Sequence, residues 1–172
     1  MDARLKKIKL LLLDVDGVLT DGRIILNDRG EETKAFNVRD GHGLKMLQRA
    51  GVEIGIITGR HSRVVAHRMR ELGITLVVQG AKNKLDPFMQ ILAEQKLDPE
   101  QVAYVGDDVV DLPILRRVGF AATVADASDD VKPHVHFVSS FPGGGGAVRN
   151  ICEMLLKAQG KWELMVARYY RD

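Results

Sequence analysis

A chain of 172 residues, 45% hydrophobic and 28% charged, has the size and composition of one globular domain with room for a buried core. Its formal net charge of +2, spread over scattered basic residues, gives no ground for nucleic-acid binding, and no apolar run approaches the ~20 residues of a membrane helix. Cys152 is the sole cysteine, which excludes an internal disulfide, suits a reducing cytoplasm and, within AVRNICEMLL, reads as a buried helical thiol rather than a nucleophile.

The N-terminal MDARLKKIKLLLLDVDG is read as the approach to a strand, not as a signal peptide. Its apolar run is short, ends in Asp14 and Asp16 and lacks a small-residue cleavage site. That strand is expected over Ile8–Asp14. A β-hairpin follows, within a flap over about 22–38: Ile24–Leu26, the turn NDRG, then Thr33–Val38. Next come a helix over Gly43–Ala50, a strand over Glu53–Ile57 and a helix over Ser62–Leu72 stopped by Gly73. A strand over Thr75–Val78, a helix over Leu85–Gln95 and a turn opened by Asp98 before proline lead to a strand over Val102–Val105. The remainder reads as a helix over Leu112–Val118, strands over Ala121–Val124 and His136–Val138, and the loop Pro142–Gly146. A helix over Ala147–Ala158 and a tail over about 160–172 close the chain. Continuous apolar strands alternating with amphipathic helices predict an α/β fold, a doubly wound parallel sheet with helices on both faces.

Ligands of such sheets bind beyond the carboxyl ends of the strands. Those ends carry DVDG (Asp14, Asp16), ITGR (Thr58, Gly59, Arg60), QGAKNK (Lys82, Lys84) and GDDVVD (Asp107, Asp108, Asp111). Converging carboxylates repel one another and are expensive to bury, so a cation must join them. Oxygen-only ligands on a partly open site suit Mg²⁺, which keeps positions for phosphate oxygens. Thr58 can donate to a phosphoryl group and Lys84 can offset its charge. Lys84 is preferred over Lys82 because it opens the helix. Asp14, at the strand tip, can act as nucleophile, and Asp16, two residues on, as general acid and then base. Asp108 and Asp111 are expected behind the ligands, orienting Lys84.

The ordered set DxDG, TG, K and GDDxxD resembles the haloacid dehalogenase-like phosphatases. The superfamily's ion-pumping ATPases are similar but carry Thr where Asp16 stands, so Asp16 favours a phosphatase or phosphomutase. The intervals from Asp16 to Thr58 and from Thr58 to Lys84 are too short for the cap domain most members insert. A capless member relies on another subunit or a large substrate to cover its site, and the apolar hairpin residues Ile24, Ile25, Leu26 and Phe36 suit a subunit contact.

A narrower resemblance spans nearly the whole chain. DVDGVLTDGRI, FNVRDGHGLKML, ITGRHS, QGAKNKL, AYVGDDVVDLP and GGGGAVRNICEMLLKAQGKWE are together similar to the 3-deoxy-D-manno-octulosonate 8-phosphate (KDO 8-phosphate) phosphatase family. The resemblance implies a Mg²⁺-dependent homotetramer acting on an acidic sugar phosphate in lipopolysaccharide precursor synthesis, with hairpin and tail of neighbouring subunits completing the site. It implies Asp14, Asp107 and the Asp16 backbone carbonyl as metal ligands. It also implies the loop Asn37, Val38, Arg39, Asp40 and Gly41, with Lys45, Arg60, Arg68 and Lys84, as substrate contacts. Without it, Arg39, Lys45 and Arg68 read as solvated charges. The five histidines form no metal-ligand constellation, though His61 is placed to line the mouth. Two departures stand out. Gly145 and Asn150 replace Arg and Glu of the family's GGRGAVRE, so that, if that arginine serves closure, this chain uses Arg149 or another group or closes less tightly. The tail after Trp162 is longer and more hydrophobic at its end than expected. A sialic-acid-type nonulosonate 9-phosphate phosphatase, or a non-catalytic assembly subunit, is the alternative.

Overall fold

Four successive leucines, Leu10–Leu13 (β1), form a fully buried strand at the heart of the sheet. The computed structural model describes residues 3–170. After β1 come β2 (Ile25–Leu26), β3 (Glu32–Thr33), α1 (Val38–Arg49), β4 (Glu53–Ile57), α2 (Arg63–Leu72), β5 (Leu76–Val78), α3 (Leu85–Gln95) and β6 (Val102–Val105). Then follow α4 (Leu112–Leu115), β7 (Phe120–Thr123), β8 (Phe137–Val138), α5 (Ala147–Ala158) and α6 (Trp162–Ala167). The six-stranded sheet runs β5-β4-β1-β6-β7-β8, every pairing parallel, while β2 and β3 pair as a separate antiparallel hairpin. From β1 the chain winds outward to β4 and β5, then crosses back to β6 on the other side. The switch point therefore lies at β1 and β6.

Alternation along β1 explains the two layers. Leu11 and Leu13 pack with Leu44 and Leu47 of α1, Val65 and Met69 of α2, and Ile151 and Leu155 of α5. Leu10 and Leu12 face the other way, onto Phe88 and Ile91 of α3 and Ile114 of α4. A strand covered on both faces has no polar side to show, hence the unbroken leucine run.

Most boundaries fall within two residues of expectation, but three elements differ. The first helix begins at Val38, not Gly43. Gly41 argues against helix by propensity, yet Asn37 caps the helix ahead of it, and a Cβ at Gly41 would lie 2.4 Å from Arg68 Nη2. Gly43, inside the expected helix, lies close against α5, where a Cβ would be 3.1 Å from Arg149 Cδ and 3.2 Å from Cys152 Cβ. The returning hairpin strand is Glu32–Thr33 rather than Thr33–Val38, because the chain leaves the ladder to bury Lys34 and tuck Phe36 against the core. The helix expected over Leu112–Val118 ends at Leu115 and relaxes into a turn, with the Val118 N–H donating to Ile114 O at 3.2 Å.

Within the tail expected over about 160–172, α6 forms a helix, while residues 171 and 172 lie outside the described residues. Trp162 anchors it between Arg149 at 5.7 Å and Lys157 at 5.0 Å from the ring centre. Cys152 is buried and its thiol is pushed well up by desolvation, in keeping with a core role. No helix among the described residues is long and apolar enough to cross a membrane.

Candidate active site

The carboxyl ends of β1 and β6 stand side by side at the switch point, so Asp14 and Asp107 meet there by topology. Asp14 continues the sheet pattern, its N–H donating to Val105 O at 2.9 Å. Its Oδ1 accepts from the Val15 N–H at 2.7 Å, and its Oδ2 faces Lys84 Nζ at 2.8 Å. Carboxylate oxygens of Asp14, Asp107 and Asp111 all lie within 4.8 Å of one another. Thr58, nearly fully buried, follows β4, with its N–H donating to Val78 O at 3.0 Å.

Asp111 is fully buried, and its oxygens are already committed. Oδ1 accepts from Lys84 Nζ at 2.7 Å and from the Tyr104 hydroxyl at 2.6 Å. Oδ2 accepts from the Asp107 N–H at 3.1 Å and the Asp108 N–H at 3.3 Å. Asp111 therefore orients Lys84 and the Gly106–Asp108 backbone instead of holding a metal. Asp108 caps the short 3₁₀ turn Val109–Asp111, its Oδ1 accepting from the Val109 N–H at 2.7 Å.

The charges are unequal in their settings. Burial alone would push the Lys84 ammonium down, but Asp111 and Asp14 outweigh it and hold the lysine charged. Burial, then the charges of Asp111 and Asp14, push Asp107 up to about 7. Burial raises Asp14 as well, against the pull of Lys84. One lysine does not balance three acids, and each Asp14 oxygen, with one donor apiece, keeps a lone pair for a further partner. A hard divalent cation fits that donor set. Gly17, with φ 85°, explains the glycine of DVDG: a Cβ there would lie 2.0 Å from Asp107 Oδ2. Glycine lets the first catalytic loop close over the second.

Asp16 sits beside this cluster in a network the sequence reading missed. Lys34, whose side chain is fully buried, donates to Asp16 Oδ1 and lies 3.3 Å from Glu32 Oε1. Arg60 Nε lies 3.6 Å from Asp16 Oδ2, and its Nη2 donates to Glu32 Oε1 at 2.9 Å. Glu32 Oε2 accepts from Ser62 Oγ at 2.5 Å. Burial, the largest single influence, raises Glu32, but the bonds from Ser62, Arg60 and Lys34 together outweigh it and hold the group below its usual carboxylate range. Period-two spacing does place Glu32 and Lys34 on one face, but nothing local connects that face to Asp16.

The segment expected as a substrate loop is a cap and first helical turn. Asn37 caps α1, its Oδ1 accepting from the Arg39 N–H at 2.8 Å, while its Nδ2 donates to Gly144 O at 3.2 Å. Asp40 is buried and caps α5 from outside, Oδ1 accepting from the Arg149 N–H at 2.8 Å, while Oδ2 has no partner. Gly41 packs under Arg68. Val38, 77% exposed, and Arg39 remain at the surface.

Lys45 and Arg68 are not brought to the aspartates: Lys45 donates to Glu71 O at 3.1 Å, and Arg68 pairs with Glu71 at 2.8 Å and lies over Phe36. Arg149 is held by Glu153 at 2.7 Å and His42 at 3.1 Å, and Asn150 Oδ1 accepts from Ser139 Oγ at 3.0 Å. The His61 ring packs on Gly80, beside Arg60.

The family model of haloacid dehalogenase-like hydrolases matches residues 38–119. The 3-deoxy-D-manno-octulosonate 8-phosphate phosphatase KdsC of Escherichia coli K12 is 48% identical over 159 residues, 92% of this chain and 85% of that one. The Yersinia pestis phosphatase of the same name superposes with a TM-score of 0.92 at 46% identity, covering 93% of this chain and 86% of that one. The Moraxella catarrhalis enzyme, solved with magnesium, phosphate and KDO, gives 0.94 at 40% identity, covering 96% and 95%. Identity of this order along almost the full length of both chains, on a shared fold, establishes descent: the chain belongs to the haloacid dehalogenase-like hydrolases, in their 3-deoxy-D-manno-octulosonate 8-phosphate phosphatase family.

Proposed function

We propose that this chain is a magnesium-dependent phosphomonoesterase that hydrolyses KDO 8-phosphate to KDO and phosphate, serving lipopolysaccharide precursor synthesis in the cytoplasm. The observation that carries it is the Asp14–Lys84–Asp111 relay beside Asp107, in a chain 48% identical to a phosphatase of that name. Asp14, Asp107 and the Asp16 carbonyl are the residues to hold Mg²⁺. When bound, the ion screens the carboxylates and the phosphoryl oxygens from one another.

The chain's own groups supply the rest. An Asp14 oxygen attacks phosphorus as the bond to the sugar oxygen breaks, giving an aspartyl phosphate. Asp16 delivers a proton to the departing oxygen, then takes one from the water that splits the aspartyl phosphate. Thr58 and Lys84 hold phosphoryl oxygens. For the acidic sugar, Arg60 beside Asp16 and the exposed Val38 and Arg39 are the contacts assigned. Asn37, Asp40 and Gly41 support them by fixing the α1 start, and Lys45 and Arg68 by fixing α1 against α2.

Between Asp16 and Thr58 the chain holds only the hairpin, α1 and β4, so a homotetramer is proposed to cover the site, with Ile24, Ile25 and Leu26 in its contacts. These three are 53%, 48% and 59% exposed in the single chain. The test is phosphate release from KDO 8-phosphate and from a nonulosonate 9-phosphate, with Mg²⁺ or chelator. Preference for KDO 8-phosphate, abolished in Asp14→Asn and by chelation, is expected. Preference for the nonulosonate ester, or turnover by Asp14→Asn free of deamidation, overturns it.

A further inference from the structure

We infer that Lys34, held by Glu32, is a positioning residue for the general acid: by binding Oδ1 it fixes the orientation of the Asp16 carboxyl group toward the leaving oxygen. The inference rests on the phosphatase reading above and deepens it. Lys34 is an ammonium on a side chain with no solvent exposure, an arrangement tolerated only where carboxylates meet it. It meets two, Asp16 Oδ1 and Glu32 Oε1.

A lysine ammonium can only donate. Oδ1, which accepts from Lys34, is therefore pinned, and the plane of the Asp16 carboxyl group with it. Arg60 Nε, 3.6 Å from Oδ2, pairs with that oxygen by charge but lies too far for a strong hydrogen bond.

The hairpin is held to the rim of the sheet so that this contact is reproducible. Glu32 accepts from Arg60 at 2.9 Å and from Ser62 Oγ at 2.5 Å, and the Ser62 N–H in turn donates to Gln79 Oε1 at 2.7 Å. Ser62 also caps α2, so the anchor is a rigid helix start. A hairpin with only two paired residues on each strand would otherwise be a poor platform for placing a charge. The proton balance is simple. As the phosphorus–oxygen bond to the sugar breaks, the Asp16 proton moves to the sugar oxygen. When water attacks the aspartyl phosphate, a water proton returns to the Asp16 carboxylate.

The experiment follows the leaving group. A primary alkoxide needs a proton as it departs, whereas p-nitrophenolate does not. Phosphorylation of Asp14 is measured by rapid quench with KDO 8-phosphate and by the nitrophenolate burst with p-nitrophenyl phosphate, each at saturation. In Lys34→Met the ratio of the alkyl to the aryl rate is expected to fall at least about tenfold, within the range that a placed general acid contributes. KM for KDO 8-phosphate should change little. Glu32→Gln, which keeps the shape but weakens the hold on Lys34, should shift the ratio in the same direction by less.

An unchanged ratio in both variants overturns the inference, and so does a Lys34→Met effect confined to KM, which makes Lys34 a substrate contact. Equal loss of both rates makes it a structural support and likewise overturns it. Should Lys34→Met fail to fold, Glu32→Gln alone decides by the same ratio. Inactivity of the unaltered protein on both esters would instead reject the phosphatase reading itself.

Discussion

Replacing Asp111 with Asn changes one atom in a fully buried side chain, and the structure sets its cost. Oδ1 accepts from Lys84 at 2.7 Å and Tyr104 at 2.6 Å, and Oδ2 from two backbone N–H groups at 3.1 and 3.3 Å. An amide has one oxygen and one NH₂, so either orientation turns a donor toward donors. With NH₂ toward Lys84, a charge-assisted bond worth about 1.5–3 kcal/mol is lost, and the Tyr104 hydroxyl loses its acceptor, at about 1–3 kcal/mol. With NH₂ toward the backbone, the Asp107 and Asp108 N–H groups, both partly buried, lose their acceptor. Against this, losing the Asp111 charge eases its repulsion of Asp14 and Asp107, whose protons it helps to retain. Lys84 also keeps Asp14 at 2.8 Å, so the ammonium is not abandoned. The first effect wins, with a net loss of about 2–4 kcal/mol. For a domain of this size that lowers Tm by roughly 4–16 °C. Thermal unfolding in chelator measures it, and the Tyr104→Phe variant should show a smaller loss in the same direction. A melting temperature within about 1 °C of the parent would refute the reasoning, for it would mean that Asp14 alone satisfies the lysine.

The pH dependence of the metal-free protein should carry the mark of Asp107. Its folded value, about 7, stands above its ordinary 3.8, so its contribution to stability is full below about 4 and is lost as pH rises to about 7. Urea midpoints in chelator should show that loss in the parent relative to Asp107→Asn, and a difference that grows in the opposite direction contradicts it. Gly17→Ala places a Cβ against Asp107 and forces φ 85° on an L-residue, at about 1–2 kcal/mol for the backbone alone. Calorimetric Mg²⁺ affinity should fall by about tenfold or more. Asp40→Ala should cost about 1 kcal/mol by uncapping α5. Asp40→Asn keeps the bond to Arg149 N, removes a buried charge and should change the urea midpoint little. Lysines at both Ile24 and Ile25 should lower the sedimentation coefficient and the activity together, and a fully active monomer counts against a site completed by a neighbour.

The order of elements and the gathering of Asp14, Thr58, Lys84 and Asp107 were legible in the sequence because both are written in local terms. Strand and helix follow from short-range periodicity, and a parallel sheet obliges ligand groups to gather at strand ends. Asp14 and Thr58 follow their strands directly, Asp107 one residue after its strand and Lys84 at the end of the loop after β5, so counting strands was enough to bring them together. Gly41 misled for the same reason in reverse, since propensity is local but this glycine packs under Arg68 of another helix. Asn37 and Asp40 were legible as polar residues near the site, but whether they face a ligand or cap a helix depends on where Gly144 and Arg149 come to lie. Lys34 and Glu32 were invisible as partners of Asp16. Their contacts run 18 and 28 residues along the chain, to Asp16 and Arg60. Such contacts exist only once the hairpin has folded back over the sheet rim, because a charge pair depends on distance in space and leaves no period in the sequence.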